Sequence, residues 1–159
     1  MRAFALAAAL CLTALPPLAV QAQTPGAASA PATGDPLGKA AAQKGAVVTG
    51  SGLVYLALKE GAGKSPVPTD TVEVHYRGTF TDGREFDSSF SRGKPTSFQL
   101  NRVIKCWTEG VQRMKVGGKA RLTCPAAIAY GERGAGGGMI PPNSVLQFEV
   151  ELLGISPGG

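Results

Sequence analysis

The stretch Thr71–Phe80 alternates with the two-residue period of a half-buried strand. Val72, Val74 and Tyr76 point one way, and Glu73, His75 and Arg77 the other. Thr81-Asp82-Gly83 follows as a hairpin turn, because Asp-Gly is a strong signal for one. The same pattern predicts strands at Ala46–Val48 and Leu53–Leu58, joined through Gly50-Ser51-Gly52. Further strands are predicted at Thr96–Leu100, at Ala120–Cys124 before Pro125, and at Val145–Leu153. The period changes once. From Lys105 to Met114 the spacing is helical and puts Trp107, Val111 and Met114 on one face, and Gly117-Gly118 ends the run. The short run Glu85-Phe86-Asp87-Ser88-Ser89-Phe90 reads as an Asx-type turn. Ala126 to Pro142 is a long loop with five glycines between Gly131 and Gly138. Loops of that length are functional or disordered, and Met139-Ile140-Pro141-Pro142 at its far end favours a flap over something apolar. These elements predict an α+β domain, strand-rich with one amphipathic helix.

Composition places the domain within the chain. After the leader, all nine aromatics fall between Tyr55 and Phe148, which sets the folded unit at 46–155 with a short tail at 156–159. Residues 1–22 have every part of a secretory signal peptide. Met1-Arg2 is followed by the apolar run Ala3–Leu15, Pro16-Pro17 breaks it, and Val20-Gln21-Ala22 supplies the cleavage site. The run is too short for a membrane span, and Leu10 is too bulky to precede a lipidated Cys11. A soluble exported protein without a stable membrane anchor is expected, in the periplasm if the source is a Gram-negative bacterium, as the Ala/Gly-rich composition suggests. Residues 23–45 are mostly Pro, Ala, Gly, Thr and Ser and predict a disordered or weakly helical arm, with a turn or two of helix at Lys39–Lys44.

Charge and motifs exclude more than they select. The formal net charge of +5 drops by one when Arg2 is removed, and no block of like charges marks a nucleic-acid surface. Gly61-Ala62-Gly63-Lys64-Ser65 lacks the first glycine of a phosphate-binding loop, and Pro66 and Pro68 follow where a helix must begin. His75 is the only histidine, reads as a surface or sheet-edge group, and supports neither a metal site nor a triad. No serine stands in an elbow motif, and the acidic residues form no obvious hydrolytic pair. What remains is an apolar cleft with few polar groups. Trp107, the only tryptophan, is then either plain core or the floor of that cleft.

A series of short motifs occurs in one order: Val74-His75-Tyr76-Arg77-Gly78, Asp82-Gly83, Phe86-Asp87-Ser88-Ser89, Val103-Ile104 with Trp107-Thr108-Glu109-Gly110, Val116-Gly117-Gly118, Ala129-Tyr130-Gly131, Ile140-Pro141-Pro142 and Phe148–Leu153. This series resembles the FKBP-type peptidyl-prolyl isomerases over roughly residues 46–155. The resemblance implies a curved antiparallel sheet wrapped around one short helix, and acceleration of X-Pro bond rotation without metal or cofactor. It implies a proline pocket of Tyr76, Phe86, Val103, Ile104, Trp107, Tyr130 and Phe148 with Trp107 as floor and Asp87 as a polar wall group. The Ile104 N–H and the Tyr130 hydroxyl would hold the peptide, with Met139 and Ile140 as flap. Thr96 stands where many eukaryotic members carry Phe, so that side is expected to be more open. Implied partners are proline-containing peptides and folding or unfolded exported proteins, with immunosuppressant macrolides as inhibitors. The alternative is a chaperone or peptide-binding module using the same cleft with little turnover. Only the Lys39–Lys44 segment stands in place of the long helical dimerisation domain of some exported relatives, so a monomer is expected. Cys106 occupies a position where the family commonly has Gly, and Cys124 ends a strand expected to pass nearby. In an oxidising compartment a Cys106–Cys124 disulfide is favoured over two buried free thiols.

Overall fold

A computed structural model describes residues 35–158, so the predicted leader and most of the arm lie outside the described residues. In chain order the elements are helix α1 (Pro36–Ala41), β1 (Ala46–Val48), β2 (Val54–Lys59), β3 (Thr71–Phe80), β4 (Glu85–Ser88) and β5 (Thr96–Gln99). Helix α2 (Lys105–Gln112), β6 (Lys119–Cys124) and β7 (Leu146–Ser156) complete the domain. All strand pairs are antiparallel and form one seven-stranded sheet in the order β1-β2-β6-β7-β3-β4. The outer edge of β3 is shared: β4 pairs with Arg77–Thr79, and β5 with Thr71–Val74. The curved sheet closes on α2, as expected for the α+β class.

Alternation decides what is buried. Val72, Val74 and Tyr76 of β3, Ala120, Leu122 and Cys124 of β6, and Leu146, Phe148, Val150 and Leu152 of β7 all face inward and join one core. Against them α2 presents Cys106, Trp107 and Val111, with Met114 one turn on. Gly110 allows the helix to sit this close: a Cβ there would lie 2.7 Å from a Leu122 methyl. Any larger residue would have to displace the Leu122 side chain.

Four elements depart from expectation, each for a local reason. The first helix starts at Pro36 rather than Lys39, because Asp35 accepts the Gly38 N–H (3.2 Å) as N-cap and Pro36 suits the first turn. It buries Ala40 and packs on β1, β2 and β6. Phe86-Asp87-Ser88 forms a strand, not an Asx turn, since the edge of β3 supplies ladder partners at Arg77 and Gly78. β7 runs to Ser156, three residues past the expected Leu153, because β3 continues beside it to the Thr71–Ser156 pair. The long loop contains three short 3-10 turns, at Ala126–Ile128, Gly131–Arg133 and Gly136–Gly138. The Gly61–Ser65 segment packs on the turn after α2, where the Val116 N–H donates to the Lys64 carbonyl (3.0 Å). His75 lies on the outer face of β3, its ring stacked on Phe90 at 4.7 Å.

Candidate active site

The sheet's inner face and α2 leave one apolar cavity of about 330 Å³. Trp107 stands at its base, only 4% exposed, and three aromatic rings meet it edge-on: Tyr76 at 5.2 Å, Phe98 at 5.5 Å and Phe148 at 5.5 Å. Phe86 in turn meets Phe148 edge-on at 5.6 Å. Perpendicular packing of this kind is the favoured aromatic geometry and makes a rigid apolar box. Gly78 makes room for it, since a Cβ there would lie 2.6 Å from the Phe86 ring and 3.1 Å from that of Phe148. Val103 and Ile104 line the wall just before α2, and Tyr130 lines it from the long loop. Ile104 is the N-cap of α2, with extended backbone. Among the described residues its N–H makes no backbone hydrogen bond, whereas its carbonyl accepts from Trp107 (2.9 Å) and Thr108 (3.1 Å).

One polar network stands beside the rings. The Tyr76 hydroxyl donates to Asp87 Oδ2 (2.5 Å), and Arg92 donates to Asp87 Oδ1 (2.6 Å) and to the Tyr76 hydroxyl (2.9 Å). Ser89 sets its position: fully buried, its hydroxyl accepts the Tyr76 N–H (2.8 Å) and its N–H donates to the Tyr76 carbonyl (2.9 Å). Partial burial pushes the Asp87 carboxyl up, but hydrogen bonds from Tyr76 and Arg92 outweigh it and hold the group below its ordinary value. Burial, with the Asp87 carboxylate adding to it, raises Tyr76. Tyr130 is raised by burial and then by the charge of Asp87, so its hydroxyl stays a proton donor at neutral pH.

This predicts a pH dependence. A carboxyl depressed in the folded state contributes stability that is present above its unfolded value, near pH 4, and is lost as pH falls through the lower folded value. Binding and turnover are expected to hold level from about pH 8 to about pH 5 and to fall only below about pH 4. A kcat/KM–pH profile checks this, and a midpoint above about 5 contradicts it.

Set beside known proteins, the chain's sequence decides the family. Residues 63–153 match the model of the FKBP-type peptidyl-prolyl cis-trans isomerases. The chain belongs to that family. It is 50% identical over 119 residues to the FKBP-type peptidyl-prolyl cis-trans isomerase FkpA of Escherichia coli K12, covering 75% of this chain and 43% of that protein. It is 55% identical over 115 residues to FkpA of Aeromonas hydrophila, covering 72% and 42%. The crystal structure of Escherichia coli FkpA superposes with a TM-score of 0.74 at 48% identity, over 77% of this chain and 57% of that one. The chain thus spans less than half the length of the FkpA proteins it matches in sequence.

Within this FKBP fold, the residues singled out from sequence separate. Tyr76, Phe86, Asp87, Val103, Ile104, Trp107, Tyr130 and Phe148 all line the cavity. Met139 and Ile140 do not. An Ala135–Ile140 bridge accompanies burial of Ile140 to 6% exposure, while Met139 next to it is 60% exposed. Three residues with no role assigned from sequence take part. Phe98 lines the cavity and packs on Trp107; its signal was the alternation Thr96, Phe98, Leu100. Arg92 holds Asp87, and Arg102 stands at the rim. Thr96 itself lies outside the cavity lining, 3.5 Å from Arg92 Nη2. Cys106 and Cys124 are joined in a disulfide, with Cα atoms 5.9 Å apart. Among the described residues no helix is long and apolar enough to cross a membrane.

Proposed function

We propose that this protein is a peptidyl-prolyl cis-trans isomerase acting on exported proteins, with the Trp107 box as its proline pocket. The observation that carries this reading is the box itself: an aromatic cavity of about 330 Å³ with Trp107, Ile104 and Tyr130 in its lining. Rotation about an X-Pro bond is opposed by about 20 kcal/mol of amide resonance, and no covalent bond need break. Twisting removes the resonance, so the carbonyl loses part of its charge separation and the nitrogen becomes pyramidal. An apolar enclosure stabilises that less polar state relative to the planar amide. Trp107, Tyr76, Phe86 and Phe148 would grip the proline ring, while the Ile104 N–H and Tyr130 hydroxyl hold the chain on either side. Asp87, tied to Tyr76 and Arg92, keeps those rings in place and gives the wall its one carboxylate.

The substrates are proline-containing peptides and folding or unfolded chains beyond the inner membrane, and the signal-peptide pattern of residues 1–22 supports the periplasm as the place of work. A monomer is proposed, and immunosuppressant macrolides should compete for the same box. The test is a two-state isomerisation assay on a short Leu-Pro peptide with the processed protein. Relaxation faster than the uncatalysed tens of seconds is expected, rising in proportion to protein concentration. Equal rates with and without protein overturn the assignment.

A further inference from the structure

Two charged side chains line the cavity, Asp87 and Arg102. They are not in the same state. Asp87 is neutralised by Arg92 at 2.6 Å and engaged by Tyr76. Arg102 is exposed and makes no salt bridge or side-chain hydrogen bond among the described residues. By contrast, Arg77, Arg84, Arg92, Arg113 and Arg121 each have a carboxylate partner, and Arg133, which has none among the described residues, is not part of the cavity lining. The cavity lining therefore carries one uncompensated positive charge, Arg102, with the exposed Lys105 close by in the chain.

Its place in the chain sets what it can reach. Arg102 closes the 3-10 turn Leu100–Arg102, and Val103 then runs extended into Ile104. The turn is held to α2 by the Thr108 hydroxyl, which donates to the Leu100 carbonyl (2.6 Å), so the Arg102 backbone keeps its position relative to Trp107. Two residues of extended chain span at most about 7 Å. The Arg102 backbone thus lies within two residues' length, about 7 Å, of the Ile104 N–H, the donor proposed to hold the peptide. A guanidinium presents a planar fork that matches a carboxylate. Building on the proline-pocket reading above, we propose that Arg102 is a specificity-determining residue selecting X-Pro segments with an aspartate or glutamate flanking the proline.

The pair would be solvent-exposed, so its effect is modest: about threefold in kcat/KM at low salt, screened away near 1 M. The test compares four peptides carrying Glu or Gln immediately before or immediately after the proline, each assayed with the processed protein. The measured quantity is the Glu/Gln ratio of kcat/KM within each variant, which cancels differences in folding and in intrinsic turnover. The wild type is expected to show a ratio of about three for at least one position, falling to one near 1 M salt. Arg102→Lys should retain a preference, Arg102→Gln should abolish it, and Arg102→Glu should invert it. A ratio that is unchanged across these variants overturns the assignment. So does a preference that disappears in Lys105→Gln but survives in Arg102→Gln, because the neighbouring exposed lysine would then be its source. If the wild type accelerates none of the peptides, the isomerase reading itself fails. If it accelerates all of them equally, only the role of Arg102 fails.

Discussion

Trp107→Leu should lower kcat/KM for X-Pro isomerisation by at least tenfold while the chain stays folded. Trp107 is the one side chain that three rings meet edge-on, so shortening it opens the base of the box rather than one wall. The proline ring then loses apolar contact that counts most when the amide is twisted, and about 1.4 kcal/mol of lost transition-state contact is a tenfold loss. Leucine is the right replacement. Truncation to Ala in a core of this kind costs about 3–5 kcal/mol, enough to confound activity with unfolding, whereas Leu refills part of the volume. Circular dichroism and a thermal melt establish that the variant is folded, and the peptide assay then gives the loss. A folded variant with wild-type turnover would remove Trp107 from the catalytic machinery. The same protein separates the chaperone alternative: if it has lost isomerisation but still suppresses aggregation of an unfolded client, chaperone action uses another surface.

Reducing the Cys106–Cys124 bond should lower stability by about 3 kcal/mol, with most of the effect arising in the unfolded chain. The bond spans 18 residues and connects the first turn of α2 to the end of β6. Unfolded, the oxidised chain is denied every conformation in which those ends separate, and reduction restores them. Both cysteines are wholly buried, so a dithiol reductant should act slowly on the native protein and readily once denaturant opens it. Urea unfolding of the processed protein, oxidised and reduced, measures the shift. Coincident midpoints would show that the crosslink contributes nothing, and two free thiols in the unreduced, denatured chain would show that it does not form in solution. The location adds a consequence for the site. Cys106 immediately precedes Trp107, and Cys124 leads through Pro125 into the loop that carries Tyr130. The bond therefore ties the base of the box to the strand from which one wall departs, and peptide affinity should weaken along with stability.

Local pattern was enough for much of the architecture. β3 occupies the span its alternation predicts, and Trp107, Val111 and Met114 are all buried as their helical spacing requires. These are one-element properties: a strand or a helix with a single apolar face has one way to bury it. The errors occur where a second element decides. The run Glu85–Ser88 is strand only because β3 offers it an edge, and Phe98 belongs to the cavity only because β5 pairs with β3 and carries the ring toward Trp107.

The site divides along the same line. Motif order and residue type pointed to the rings, to Asp87 and to the loop tyrosine, since an apolar pocket needs large rings and few polar groups. Residue type alone does not show that Arg92, five residues from Asp87, also reaches the Tyr76 hydroxyl of β3, or that Arg102 joins the cavity lining without a partner. Met139 and Ile140 show the same dependence in the opposite sense. Their apolar character alike suggested a flap, and the Ala135–Ile140 bridge leaves Ile140 buried and Met139 exposed. The sequence by itself determined the faces, the strand periods and the chemistry present, because these follow from side-chain size, polarity and spacing along one chain. Which rings line the cavity followed from the fold, because Tyr76, Phe98, Trp107 and Phe148 meet only after the sheet has curved around α2.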